Sequence, residues 1–401
     1  MPKVFDLIDS YKDEVIKAAK EMIPLKAISP SSGGSGESAR ADYLQKLIEG
    51  MGFKVKRYSY KDDTGTERPN LVSTFGAAER RIWIIAHMDT VSEGDLSLWE
   101  YEPFKATVVG DRIYGRGIND DGQDVIAGIY AMKALKESGD ALNYGYGLAI
   151  VADEELGSVY GIQKLIGENI FGKGDLIVVP DGGTAEGDEI EVAEKGILWV
   201  KVTVTGKQVH ASTPEKGANA YRASINFLSE ADKILHSKFN ESDQIFSPPT
   251  STFEMTKHEK NTDSVNIIPG KEVSYIDCRV LPKYSLSDVM ATLSELAKSH
   301  EKNGIKIKIE QFNREDAAPP TDSNSAIAKL ASSSVRRVLG CKPKITGVGG
   351  GTCAAFFRHK GIPAVVWSKK PNTEHSPNEY AIIGDILADA KVFADMCINK
   401  G

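Results

Sequence analysis

The run Arg81-Ile82-Trp83-Ile84-Ile85-Ala86 carries no polar residue after its first position. A strand with one wet face would alternate, so this segment belongs to a sheet covered on both sides. Gly147–Val151, Asp175–Val179 and Ala364–Trp367 have a similar texture. Around them, helical spacing of apolar residues covers Ala39–Met51, Val125–Glu137, Tyr160–Ile166, Ala326–Leu339 and Ile382–Ile398. Strands alternating with helices predict an α/β domain with a central, mostly parallel sheet flanked by helices. A further strand is expected around Phe53–Tyr58. Val4, Leu7, Ile8, Val15, Ile16, Ala19 and Ile23 place one amphipathic helix at the amino end, where a secretory signal would be uniformly apolar.

The texture changes after Asp181. Trp199-Val200-Lys201-Val202-Thr203-Val204 alternates, as a strand with one solvated face does. A helix over Asn219–Leu235, strands near Thr252–Lys257 and Glu272–Val280, a helix over Ser287–Lys302 and an alternating strand over Ile305–Ile309 follow. That order predicts a small α+β, ferredoxin-like sandwich with its helices on one face. Past Pro320 the α/β texture returns. The expected organisation is one domain, residues 1–194 and 314–401, interrupted by an insert at 195–313. A chain of 401 residues exceeds what one compact core usually holds, in keeping with two domains.

The net charge of -7, with both signs interspersed and no basic cluster among aromatics, argues against a nucleic-acid partner. No apolar run approaches the ~20 residues of a membrane span. Cys278, Cys341, Cys353 and Cys397 are scattered without a C-x-x-C pair, so a disulfide framework is not expected and a reducing cytoplasm is the simplest location.

Ligands of open α/β sheets bind beyond the carboxyl ends of the strands, and here those ends carry metal-type side chains. Ile82–Ala86 ends at His87-Met88-Asp89, Gly147–Val151 runs into Asp153-Glu154-Glu155, and Asp175–Val179 ends at Pro180-Asp181. Asp120, in Gly115-Arg116-Gly117-Ile118-Asn119-Asp120, and His375, just past the strand ending at Trp367, complete the set. Singly, each reads as a turn or boundary residue. Their convergence on one sheet edge favours a metal site. Two histidines with several carboxylates suit zinc, cobalt or manganese better than calcium. Asp89, two residues from His87, is placed to accept the other ring N–H of a ligating imidazole. With this many donors, two metals sharing a bridging carboxylate fit better than one.

The stretches AHMDTV, YGRGINDD, ADEELGS, PDGG and EHSPNE, with Trp99, Pro103 and Phe104 between the first two, occur in this order. VHASTPEKGANA and VNIIPGKEVSYIDCRVLP lie in the insert, and GVGGGTCAAFF lies beyond it. The ordered set resembles the dinuclear zinc hydrolases that include acetylornithine deacetylase, succinyl-diaminopimelate desuccinylase, aminoacylase and related carboxypeptidases and dipeptidases. The resemblance implies two zinc ions, with cobalt or manganese as substitutes. His87 and Asp181 would hold one, Glu155 and His375 the other, and Asp120 would bridge them. It also implies Glu154 as general base and Asp89 as support. The insert becomes a lid and dimerisation domain whose His210 reaches the active site of the partner subunit. Asn266, Arg279, Gly350, Gly351 and Thr352 would bind substrate.

Two departures from the resemblance stand out. Asp121-Gly122-Gln123 follows the bridging position where Met-Lys-Gly is common, which makes the loop more acidic. Asp181 takes the form common in the peptidase and aminoacylase branches. The leading expectation is hydrolysis of an N-acyl amino acid, and the alternative is a metallo-exopeptidase using the same site. A catalytically silent relative would lack the base or a ligand, and none is missing. No Gly-Lys-[Ser/Thr] phosphate loop is present.

Overall fold

The computed structural model describes residues 2–399. The chain divides into two compact units, Met1–Val192 with Thr321–Ile345 and Thr352–Gly401, and Ala193–Pro320 with Thr346–Gly351. Thr346–Gly351, which the sequence places with the α/β domain, clusters instead with the second unit. Backbone bonds from Lys195 N to Val348 O and from Gly347 N to Ile245 O tie it there.

The large sheet runs in the order Val55–Lys61, Glu67–Phe75, Gly145–Val151, Arg81–His87, Leu176–Val179, Ala364–Val366, then Glu189–Glu194 and Lys344–Val348. Its centre is parallel, because Arg81–His87 pairs in parallel with both Gly145–Val151 and Leu176–Val179, and Ala364–Val366 with the latter. Glu67–Phe75, Val55–Lys61 and Glu189–Glu194 pair antiparallel at the flanks. Registers such as His87 opposite Val151 and Val366 opposite Val179 bring the strand ends level at one edge. The expected single amino-terminal helix is two, Lys3–Ser10 and Lys12–Met22. The break falls at Tyr11, which is buried and whose hydroxyl donates to Glu137 at 2.6 Å.

Packing in the sheet is tight enough to test. Trp83 is buried, with its indole N–H donating to Asp175 Oδ2 at 2.8 Å. A Cβ on Gly147, in the neighbouring strand, would lie 2.4 Å from Trp83 Cδ2. Overpacking of this kind costs ~1–3 kcal/mol, so Gly147→Ala is expected to melt several degrees below wild type. An unchanged melting temperature would show that the tryptophan yields freely.

The second unit holds a four-stranded antiparallel sheet in the order Thr252–His258, Lys271–Val280, Gly196–Thr205, Lys306–Glu315. In chain order these are strands two, three, one and four, the ferredoxin-like arrangement, with helices Ala220–Lys238 and Leu286–His300 between them. Leu198, Val200, Val202, Ile276 and Cys278 pack on Phe227, Leu235, Val289 and Leu293 of the helices. Asn219 and Ser285 cap those helices, accepting from Arg222 N and Ser287 N. Among the described residues no helix is long and apolar enough to cross a membrane, and all four cysteines are free.

Candidate metal centre

His87 is the last residue of its strand, and its backbone N–H donates to Asp121 Oδ2 at 3.1 Å. Its ring is buried, with Nδ1 at 3.2 Å from Asp89 O and 3.5 Å from Asp89 Oδ1. That leaves Nε2 aimed at Asp120 Oδ1, 2.8 Å away, and at Asp181 Oδ1, 3.8 Å away. Asp120 sits in the tight turn Ile118–Gly122. Glu379 fastens this turn by accepting backbone N–H groups of Gly117, Asn119 and Asp120 at 2.8–3.1 Å, and Arg116 Nη1 at 2.7 Å.

The other oxygen of Asp120, Oδ2, lies 3.0 Å from His375 Nε2, which is also 3.0 Å from Glu155 Oε2. The donor atoms form two triads, His87-Asp120-Asp181 and Asp120-Glu155-His375, each within 4.8 Å of one another. One carboxylate thus offers one oxygen to each triad. Histidine nitrogen with carboxylate oxygen is a donor set suited to zinc-like divalent cations, so these residues fit such ions. The electrostatics agree. Burial works against a charged His87, yet hydrogen bonds to Asp120, Asp181 and Asp89 hold its pKa well above the usual histidine range. Hydrogen bonds to Asp120 and Glu155 push His375 up to about 10. Burial, followed by the charge of Asp181, raises Glu154 well above the ordinary glutamate value. The site is a pocket of crowded negative charge, which a cation relieves.

Glu154 and Glu155 occupy a one-turn helix, Glu154–Leu156, after Asp153, whose φ is 66°. Asp89 fixes this turn from the neighbouring strand end, accepting Glu154 N at 3.0 Å on one oxygen and Glu155 N at 3.1 Å on the other. Asp153 faces the opposite way, pairing with Arg68 Nη2 at 3.1 Å and accepting Tyr160 N at 2.9 Å.

Several contributors escaped the sequence reading. Glu379 ends the motif EHSPNE but was given no task. Lys370 is buried and lines a cavity of about 70 Å³ with Asp120, Asp181, Gly182 and Gly183. Burial opposes its charge, and Asp121, Asp124 and Asp181 more than restore it. A lysine four residues past the strand Ala364–Val366 gives no local signal of this, whereas the acidity of Asp120-Asp121 does call for a nearby cation.

The remaining predicted residues belong largely to the second unit. His210 is exposed in the short strand Val209–His210, its Nδ1 at 2.8 Å from Ser212 Oγ. Asn266 is exposed. Arg279 donates Nε and Nη2 to Asp277 at 2.7 and 3.1 Å and Nη1 to Gly349 O at 2.9 Å, so its fork is already engaged. Gly350 and Gly351 are exposed, and Thr352 is half-buried in the first unit.

The sequence profile of Peptidase family M20/M25/M40 matches residues 83–399. A protein of Methanocaldococcus jannaschii, named an uncharacterized metallohydrolase, is 38% identical over 405 residues, covering 96% of this chain and 98% of its own. Succinyl-diaminopimelate desuccinylase of Pelagibacter ubique is 24% identical over 391 residues, covering 96% and 98%. An M20 family metallo-carboxypeptidase from Sulfolobus solfataricus superposes with a TM-score of 0.74 at 22% identity, covering 96% of this chain and 98% of its own, a likeness of fold.

Proposed function

The chain belongs to Peptidase family M20/M25/M40 and is a metallohydrolase, and we propose that it is a two-zinc amidohydrolase that releases the acyl group from N-acylated amino acids. The observation that carries this reading is Asp120, one buried carboxylate whose two oxygens address two different histidines. His87 and Asp181 would hold one ion, His375 and Glu155 the other, and Asp120 would be shared between them. Bound zinc, or cobalt or manganese in its place, supplies Lewis acidity toward water and the amide carbonyl.

The chain's own residues do the rest. Glu154 takes a proton from the attacking water and returns it to the departing amine nitrogen, a transfer typically worth ~10²–10⁴-fold. Asp89 fixes the His87 ring from its Nδ1 side and, through the N–H groups of Glu154 and Glu155, holds the base and a ligand in one frame. In a homodimer formed through the inserted unit, His210 of one subunit supports the oxyanion in the other. Asn266 and Arg279 bind the substrate carboxylate, Arg279 after release from Asp277, and Gly350, Gly351 and Thr352 present backbone N–H groups to the substrate. Four free cysteines suit a cytoplasmic location.

Among named relatives the desuccinylase supports an N-acyl amino acid as substrate. A panel of N-acetyl amino acids, N-succinyl amino acids and dipeptides, assayed with the zinc-loaded protein, tests this directly. Turnover confined to dipeptides would replace the deacylase reading with an exopeptidase. Chelator treatment is expected to abolish turnover and zinc or cobalt to restore it; full activity after verified metal removal would sink the metal assignment. His210→Ala is expected to lower kcat without changing metal content, and an enforced monomer with full activity would exclude its action across subunits.

A further inference from the structure

Cys353 is a buried thiol that the mechanism above does not use. Its Sγ lies 3.9 Å from Glu154 Oε1 and 3.3 Å from Ser158 Oγ. Both Cys353 and Ser158 are almost wholly buried, at 2% and 1% exposure, so solvent does not compete for these contacts. The direction of the chain Ser158, Cys353, Glu154 follows from donor chemistry. Acting as the base, Glu154 is a carboxylate that only accepts, and a thiol has a single hydrogen. The S–H therefore donates to Glu154, and the Ser158 hydroxyl donates to the sulfur. Burial, and next the charge of Glu154, push the thiol well above its usual range, so it keeps its hydrogen. Cys353 belongs to neither ligand triad.

We infer that Cys353 is a positioning residue, whose thiol holds Glu154 by Oε1 and leaves the other carboxylate oxygen for the reacting water. The inference rests on Glu154 being the base. It explains how a half-buried carboxylate at the first position of a one-turn helix keeps one orientation, since Asp89 binds only the backbone of that turn. The competing account is packing alone. Cys353 also sits in an apolar cluster with Trp83, Val151, Val179 and Phe357, where any small side chain would serve.

The test compares Cys353→Ala with Cys353→Ser in the zinc-loaded enzyme, on the panel substrate of highest kcat/KM, with folding followed by thermal melting. Losing one hydrogen bond to a charged group is expected to lower kcat about tenfold in Cys353→Ala, with KM and zinc content unchanged. Cys353→Ser keeps a donor and is expected to recover most of that loss. An unchanged kcat in Cys353→Ala, an equal loss in both variants, or a loss of zinc would each overturn the inference. A second readout needs no substrate. The infrared S–H stretch of Cys353, identified by its absence from Cys353→Ser, is expected to shift to higher frequency in Glu154→Ala; an unmoved band overturns the contact. Glu154→Gln separates the two levels. If it retains turnover, the base assignment fails whatever Cys353 does; if it is inactive while Cys353→Ala is normal, only the inference fails.

Discussion

Glu154→Gln is expected to lower kcat about 10²–10⁴-fold while both metal ions remain bound. Two separate facts support the two halves of that statement. Glu154 belongs to neither triad of candidate ligands, so replacing its carboxylate by an amide of equal size removes no donor from them. The backbone N–H groups that Asp89 holds are also untouched, so the turn keeps its shape. What disappears is the ability to accept and return a proton. Glu155→Gln is the informative contrast, since Glu155 lies 3.0 Å from His375 Nε2 within a triad. That variant is expected to lose metal as well as turnover. Metal analysis beside steady-state kinetics distinguishes the two neighbours. A Glu154→Gln enzyme with near-normal kcat would remove Glu154 as the base.

The sequence is legible where one residue decides its own environment. An apolar run that ends abruptly in His87 or Asp181 announces both a buried strand and a candidate ligand at its tip, and both lie at one sheet edge. The insert is legible because its strands alternate, with Val200 and Val202 inward and Lys201 between them. What escaped depends on partners far along the chain. Glu67–Phe75 is a strand, yet Pro69, Asn70 and Ser73 hide the pattern, since their polar groups are satisfied by neighbours. Asn70, for example, donates to Tyr160 O at 3.0 Å. Glu379 holds the Asp120 turn from 259 positions away. Arg279 reads as a free carboxylate binder until Asp277, two residues earlier on the same face of the strand, is seen to occupy it. Asp153 reads as no more than part of its turn, because Arg68 and Glu37 lie 85 and 116 positions before it.

That last network predicts the largest loss of stability. Arg68 is 2% exposed; it donates Nε to Glu37 at 2.9 Å, pairs with Asp153 at 3.1 Å, and reaches Asp62 at 3.4 Å. Removing one member of a buried ionic group costs ~3–5 kcal/mol, because the partners stay buried without compensation. Arg68→Met is expected to show a loss of that size in chemical denaturation, with Arg57→Met, whose partner Asp42 is exposed, within about 0.5 kcal/mol of wild type. The loss should depend on pH. Burial already pushes Glu37 up to about 7, against the pull of Arg68. Without the guanidinium it rises further, so above the unfolded glutamate pKa the folded state holds a proton that the unfolded chain has released. Stability falls in both proteins as pH rises above the unfolded glutamate pKa, but in the wild type only until about 7 and in the variant beyond it, so the gap between them is expected to widen above pH 7. The same change reaches the metal centre, since Asp153 anchors the turn that presents Glu154 and Glu155 by accepting Tyr160 N. Weaker zinc binding in Arg68→Met, measured against a competing chelator, would show that the third carboxylate of Asp153-Glu154-Glu155 serves the site from behind. Unchanged zinc affinity alongside a full stability loss would confine the network to holding the fold.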